Sequence, residues 1–296
     1  MREDLRLSLF GFIGRLMDSF NFEDYIKRVL SEDIGDGDHT SLATIPPDKI
    51  GKAKLLVKEN GIIAGIEVAK KIVEFYDAAL QMDIHYNDGD TVKKGDKVFI
   101  VEGKAQSILS LERTILNIMQ RMSAIATKTR RITDIISHTQ CRLLDTRKTT
   151  PLFRYFEKEA VRIGGGVNHR FGLYDMVMIK DNHVDYAGGI AQAITKTVDY
   201  LKKNKKELKI EIEVRTLDEL NEVLAVGNVH RIMLDNFNVS TLEKAVSLIG
   251  GRFETEASGG ITEDNILEYA LTGVDFISVG ALTHTVKSLD LSLKAM

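Results

Sequence analysis

The sequence predicts an α/β protein in two parts: an N-terminal α+β domain over residues 1–124, then an open or incomplete β/α barrel over residues 125–284, with a tail from about 285 to 296 packing on the first part. Three observations predict it. From Arg142 onward short apolar runs recur, each closing on a polar or glycine position, and the closing residues Lys180, Glu213, Asp235, Glu256 and Gly280 follow at steps of 33, 22, 21 and 24. A short strand, a loop and a three-turn helix need about 20 to 25 residues. The segments between the runs carry helix punctuation: Thr216-x-x-Glu219 and Ser240-x-x-Glu243 have the capping-box form, and Gly227, Gly250 and Gly273 fall where a left-handed residue ends a helix. The first third instead shows the turn signals of hairpins. Near-continuous apolar runs fit parallel strands buried on both faces, with a doubly wound sheet as the alternative.

Taken in order, the chain opens with an apolar stretch broken by Arg6, Arg15 and Asp18, which reads as an amphipathic first helix and neither a signal peptide nor a membrane span. Phe22 to Leu30 is amphipathic, and a Gly35-Asp36-Gly37-Asp38 loop follows. Twelve residues counted from Asp33, Asp36 or Asp38 end on Thr44, Pro47 or Lys49, so the glutamate of a calcium-binding EF-hand loop is missing. Lys54–Lys58 reads as a strand and Glu67–Tyr76 as a helix. Asn87-Asp88-Gly89-Asp90, Lys94-Gly95-Asp96 and Gly103 then bracket the short runs Thr91-Val92 and Val98–Val101. From Leu111 to Ile136 apolar residues recur at three- and four-residue steps, a long helix that joins the two parts. Six strand-like runs follow, at 143–144, 176–179, 210–212, 232–234, 253–255 and 276–279.

Composition bounds the function. The 296 residues are 44% apolar and 28% charged, with a single cysteine. One cysteine closes no internal disulfide and no Cys/His cluster has zinc spacing, which points to ordinary core burial in a reducing, cytoplasmic compartment. A net charge of -3 argues against nucleic-acid binding. Yet Leu111 to Asp181 holds 13 Lys/Arg against 7 Asp/Glu, and a basic middle in an acidic chain suits a small polyanionic ligand in a focused field.

The barrel supplies a site, because side chains at the C-terminal ends of its strands gather at one mouth. Arg147, Lys148, Lys180, Glu213, Asp235, Glu256, Ser258 and Gly280 are therefore expected to converge. The cations, with Arg170, can clamp carboxylates or phosphates. The two acids Glu213 and Asp235 can hold hydroxyls or the water shell of Mg²⁺. Ser258-Gly259-Gly260 and Gly280 lie where such barrels cradle phosphate with backbone N–H groups. His169 beside Arg170 is either ligand-facing or a packing residue, Gly164-Gly165-Gly166 is a flexible loop, and Cys141 has no activating partner in sequence.

Five segments carry a resemblance: Glu112-Arg113-Thr114-Ile115-Leu116-Asn117, Asp145-Thr146-Arg147-Lys148-Thr149-Thr150-Pro151, Gly164-Gly165-Gly166-Val167-Asn168-His169-Arg170, Ile179-Lys180-Asp181-Asn182-His183 and Glu256-Ala257-Ser258-Gly259-Gly260-Ile261. With the Glu32–Gly35 loop and the Gly89–Gly103 hairpins, the chain over nearly its whole length resembles the quinolinate phosphoribosyltransferase family, also called nicotinate-nucleotide pyrophosphorylases. The resemblance implies a type II phosphoribosyltransferase fold and a decarboxylating transfer from phosphoribosyl pyrophosphate to quinolinate, with Mg²⁺, in NAD biosynthesis. It implies that Arg147, His169, Arg170 and Lys180 line the quinolinate site, with Arg113 reaching in from the other subunit of a homodimer. Lys148 would touch the pyrophosphate of the donor, Glu213 and Asp235 the ribose hydroxyls and metal, and Ser258, Gly259 and Gly280 the 5-phosphate. Direct roles in the reaction fall to Lys148, Lys180, Glu213 and Asp235.

Where the family often continues Thr-Thr-Pro with Gly-Leu-Arg, this chain has Leu152-Phe153-Arg154, a changed turn beside the implied donor site. A one-residue insertion around Gly227-Asn228 is expected to be harmless. Three other readings compete: a related pyrophosphorylase acting on another aromatic acid, as in the molybdenum-transport-associated paralogues; a Schiff-base aldolase using Lys180; and a lipoyl-type carrier modified at Lys93, Lys94 or Lys97.

Overall fold

A computed structural model describes residues 20–296. The amphipathic helix expected ahead of Phe20 lies outside the described residues. The chain divides into two compact units, the first holding residues 20–130, Thr149–Gly165 and Leu282–Met296, the second Arg131–Lys148 and Gly166–Ala281.

The first unit begins with α1 (Phe22–Ile34), whose Asn21 side chain caps the Asp24 N–H, and α2 (His39–Thr44), capped by Asp38 at Ser41. Asp38 is thus a helix cap and not a calcium ligand. Strands β1 (Ile50–Val57), β2 (Gly61–Ile62), β3 (Gln81–Ile84), β4 (Thr91–Val92) and β5 (Lys97–Lys104) alternate with α3 (Ile66–Tyr76), whose first N–H groups are held by the distant Asp88 carboxylate at 2.9 and 3.3 Å. The long α4 (Ala105–Ile136) begins two turns before the predicted Leu111. α5 (Arg154–Ile163) belongs to this unit as well, and its buried Glu157 meets Arg121 at 2.9 Å. The chain ends on β12 (Leu291–Ala295), which pairs antiparallel with β1, giving the sheet order β12-β1-β5-β3.

The second unit is built from β6 (Arg142–Leu144), β7 (Val177–Ile179), β8 (Ile210–Val214), β9 (Arg231–Asp235), β10 (Glu254–Ser258) and β11 (Phe276–Ser278), interleaved with α6 (Asp181–Ala187), α7 (Ile190–Lys203), α8 (Leu217–Val226), α9 (Val239–Ile249) and α10 (Ile266–Leu271); α11 (Ala281–His284) follows the last strand. All six predicted runs are strands. They form one parallel sheet in the order β6-β11-β10-β9-β8-β7; β6 and β7 end it without pairing to each other, β6 bridging Val167 on its outer side, so the barrel is open, not closed. No helix of the described residues is long and apolar enough to cross a membrane.

Two details differ from expectation. Helix α9 is capped by Asn238 at the Thr241 N–H, two residues before the Ser240 expected from the capping-box spacing, because the asparagine amide oxygen reaches the third helical N–H as well as a serine does. The strands are not apolar on both faces. Ile210, Ile212, Val214, Ile232 and Leu234 form one apolar face, while the opposite face of β8, β9 and β10 presents Glu211, Glu213, Arg231, Asp235, Glu256 and Ser258 at a two-residue period.

Candidate active site

The polar face has a floor and a rim. On the floor Glu211, mid-β8, and Glu256, mid-β10, are fully buried and flank the buried His169, whose Nε2 lies 3.1 Å from Glu211 Oε2 and 3.3 Å from Glu256 Oε2. Arg231 of β9 closes the group with Nη1 at 3.1 Å from Glu256, while its other nitrogens reach Glu254 at 3.0 and 3.2 Å. Its guanidinium also stacks 4.1 Å above the Phe276 ring centroid. Burial pushes the Glu211 carboxyl upward and Glu256 beside it adds to the shift. Glu256 goes the other way: burial would raise it, but His169, Arg231 and a Ser278 hydrogen bond hold it at about 2. The two acids therefore divide their tasks, Glu256 carrying the charge that neutralises Arg231.

Above the floor runs the 168–172 segment. Asp145, at the end of β6 and fully buried, accepts the His169 N–H at 2.8 Å and the Asn168 amide at 2.7 Å. The buried Asp175 accepts the Phe171 and Gly172 N–H groups at 2.6 and 2.8 Å. Between these anchors the Arg170 N–H donates to His169 Nδ1 at 2.7 Å, and its Nη1 to the Met176 carbonyl at 3.2 Å. With Nδ1 accepting, the imidazole carries its proton on Nε2, toward the two glutamates. Burial lowers the Arg170 pKa, and the neighbouring Arg147 cation lowers it further.

The rim lies at the strand ends. Lys180 follows β7, its N–H held by His183 Nδ1 at 2.9 Å, and its ammonium contacts Glu213. Asp235 ends β9; burial raises its pKa and the Glu213 charge adds to that, while Lys180 opposes it. Asn236 donates to Asp235 at 2.6 Å from a left-handed backbone with φ 58°. Ser258 pairs in register with Asp235, and Gly259, at φ 90°, runs so close to Asn236 that a Cβ there would sit 2.2 Å from its amide oxygen. That approach requires glycine. Arg147 is half-buried and Lys148 exposed just past β6, and Gly280 follows β11.

The expected residues thus group as a linked set of Lys180, Glu213 and Asp235, a guanidinium pair Arg147 and Arg170, and a Ser258-Gly259 turn beside Asp235. Glu256 does not belong at the mouth: it is the third residue of a five-residue strand and its side chain is closed into the floor. Arg113 is exposed on α4 in the first unit. Cys141 is buried and burial pushes its thiol up to about 12, which removes it as a nucleophile. Glu211, Arg231, Asp145 and Asn236 were not singled out from sequence, although the two-residue strand period places Glu211 with Glu213 and Arg231 with Asp235.

His169, Glu211 and Glu256 have the residue types of a metal site, with ligand atoms within 4.8 Å of one another. Their partners argue otherwise: the imidazole nitrogen already lies against both carboxylates and Arg231 holds Glu256, so a metal would have to displace ion pairs. Glu213 and Asp235 fit a hard cation better. They are two carboxylates close enough that one raises the pKa of the other, offering oxygen donors, and the Lys180 ammonium that contacts Glu213 also acts on Asp235.

Family models described as the N-terminal and C-terminal domains of quinolinate phosphoribosyl transferase match residues 38–123 and 125–294. The chain is 49% identical over 291 residues to the quinolinate phosphoribosyltransferase [decarboxylating] 1b of Nicotiana tabacum, covering 93% of this chain and 83% of that protein. It is 41% identical over 277 residues to the probable nicotinate-nucleotide pyrophosphorylase [carboxylating] of Bacillus subtilis, covering 94% of each. Among solved structures, the nicotinate-nucleotide pyrophosphorylase of Francisella tularensis superposes with a TM-score of 0.86 at 41% identity, covering 93% of this chain and 96% of that one. That of Ehrlichia chaffeensis gives 0.86 at 35% identity, covering 94% and 100%.

Proposed function

The chain belongs to the quinolinate phosphoribosyltransferase family, and on that premise we infer that it transfers the phosphoribosyl group of phosphoribosyl pyrophosphate to quinolinate with decarboxylation, a step of NAD biosynthesis. The products are nicotinate mononucleotide, pyrophosphate and CO₂. The single observation that carries the reading from this chain's own geometry is the strand-end set of Lys180 in contact with Glu213 and of Asp235 in register with Ser258, where the Gly259 backbone closes on Asn236.

The chemistry needs no protein nucleophile. Arg147, Arg170 and Lys180 would hold the two quinolinate carboxylates and aim the ring nitrogen at the ribose C1, with the buried His169 ring supporting Arg170 from beneath. Glu213 and Asp235 would accept the ribose 2- and 3-hydroxyl protons, and Ser258, Gly259 and Gly280 the 5-phosphate. Lys148, exposed past β6, would meet the departing pyrophosphate, whose growing charge it stabilises. As the C1–O bond breaks and C1 gains positive character, the pyridine nitrogen forms the new C–N bond. The quaternised ring then takes the electron pair of the breaking C2–carboxylate bond, and a proton replaces CO₂. Mg²⁺, held by Glu213 and Asp235 directly or through water, would supply charge neutralisation of the donor. Lys180 contacts Glu213 and so holds that acid oriented while the site fills.

We further propose a homodimer in which Arg113 completes the partner's quinolinate site. The support is its exposed place on α4, one turn after the exposed Leu109, a face suited to contact with a second copy. The cytoplasm is the proposed compartment, on the lone unpaired cysteine; the Arabidopsis thaliana relative, 48% identical, carries a chloroplastic name.

The reading is tested by CO₂ release from quinolinate labelled in its C2 carboxylate, with donor and Mg²⁺, and nicotinate as the parallel acceptor. Release that depends on the donor is expected. A folded chain that binds the donor without releasing CO₂ would move the assignment to a pyrophosphorylase with a different aromatic acceptor.

A further inference from the structure

The floor holds two fully buried carboxylates that no step of the transfer uses, and buried ionisable groups are costly unless they are tied to a task. Their partner shows the task. Both nitrogens of His169 are engaged inside the protein, Nε2 against Glu211 and Glu256 and Nδ1 with the Arg170 N–H, and the ring is only 6% exposed. A chain of contacts therefore runs from Arg231 through Glu256 and His169 to the backbone of Arg170. On either side of Arg170 the buried Asp145 and Asp175 each accept two hydrogen bonds from the same five-residue segment.

The anchoring works against a definite force. The Arg147 charge adds to burial in lowering the Arg170 pKa, so two like charges repel where a dianionic aromatic acid would be gripped. Left to a mobile loop, the guanidiniums would spread apart and would have to be gathered again at each binding event. Fixing the backbone on both sides and beneath keeps them converged before ligand arrives.

We propose that Glu211, acting with Glu256, is a positioning residue for acceptor recognition: through the His169 ring it fixes the 168–172 segment and thereby the placement of the Arg170 guanidinium. The ligand named here rests on the transferase reading; the positioning does not.

The test has two arms. In the first, the ¹⁵N spectrum of histidine-labelled wild-type protein without substrate is assigned by comparison with His169→Gln. Nδ1 of His169 is expected to resonate as a pyridine-type acceptor nitrogen and Nε2 as the protonated one; a proton on Nδ1 overturns the proposal. In the second, Glu211→Gln keeps the shape of the side chain and the Glu256–Arg231 pair while removing the carboxylate that His169 faces. The KM for quinolinate is expected to rise by about tenfold or more, in keeping with the ~100-fold that a 1 Å misplacement can cost, with the KM for the donor unchanged within about twofold and Glu211→Asp recovering part of the loss. An unchanged quinolinate KM in a folded Glu211→Gln protein overturns the proposal, as does an equal rise in both KM values. A wild-type chain that ignores quinolinate overturns the transferase reading instead, and the nitrogen spectrum still decides the positioning.

Discussion

The floor and the rim of the catalytic sheet are made from the same strands and the same face, a step of two or four residues apart, and they behave oppositely. Glu211 and Glu213 are neighbours on one face of β8, yet the first is sealed against an imidazole and the second, with Lys180 and Asp235, lies at the mouth. Glu256 and Ser258 bear the same relation on β10, and Arg231 and Asp235 share one face of β9 four residues apart. On the floor the Arg231 and Glu256 charges meet within the protein, and Glu211 lies against the His169 ring. At the rim like charges act on one another, Arg147 on Arg170 and Glu213 on Asp235, with Lys180 in contact with Glu213, and on the proposed function ligand charge would complete the balance. Depth along a strand therefore separates the groups that hold the site in shape from those that do its chemistry.

The sharpest way to break that comparison is to remove a floor charge and watch stability. Glu256→Gln leaves Arg231 without its buried partner and is expected to cost about 3–5 kcal/mol in urea unfolding. The pH dependence has a definite sign. The Glu256 carboxyl is held at about 2 against an ordinary 4.5, so the folded state binds its proton less tightly than the unfolded one. Its contribution is fully present above about pH 4.5 and is lost as pH falls toward 2. The variant should lack that part of the acid limb, and an unaltered limb would mean that the floor charge is not stabilising.

Rim variants should do the reverse. Arg170→Ala removes the guanidinium proposed to grip the acceptor and is expected to lower kcat/KM for quinolinate by about 10² to 10³, the loss typical of one preorganised donor, or ~3 to 4 kcal/mol of transition-state stabilisation. Its urea midpoint should stay close to wild type. The same variant tests the proposed dimer: mixed and exchanged with Arg113→Ala subunits, which supply an intact Arg170, it should regain part of its activity in hybrid sites. No recovery after verified exchange would confine each site to one chain.

How much of this was legible in the sequence follows from the same two-residue period. The strand ends could be read because each apolar run stops at a polar residue, and Lys180, Glu213 and Asp235 stand at those stops, while the stop read at Glu256 falls two residues before the strand's end at Ser258. Glu211, Arg231 and the true depth of Glu256 were not read, because a strand scanned for its end looks apolar even when alternate residues carry charge: Ile210-Glu211-Ile212-Glu213-Val214 holds two glutamates on one face. Asp145 stood inside a recognised motif, but its task, accepting from Asn168 and His169, depends on a partner segment 23 and 24 residues away. The left-handed Asn236 has no sequence signature beyond asparagine's tolerance of that conformation.

The smallest expected effect concerns a position where the chain departs from its family. Leu152 stands where the family often has glycine, and its backbone takes φ 62°, the left-handed region that costs a residue with a Cβ roughly 1–2 kcal/mol. Its side chain is 82% exposed, so little burial offsets that strain. Leu152→Gly removes the steric cost but gives the unfolded chain more freedom, a counter-term of about 0.4–1 kcal/mol. The net expectation is a gain of about 0.5–1 kcal/mol in unfolding free energy, with Leu152→Ala showing no such gain because alanine keeps the Cβ. A loss of stability on Leu152→Gly would show that the leucine is covered by something, and subunit contact would then be the first place to look, through the concentration dependence of Tm in wild type and variant.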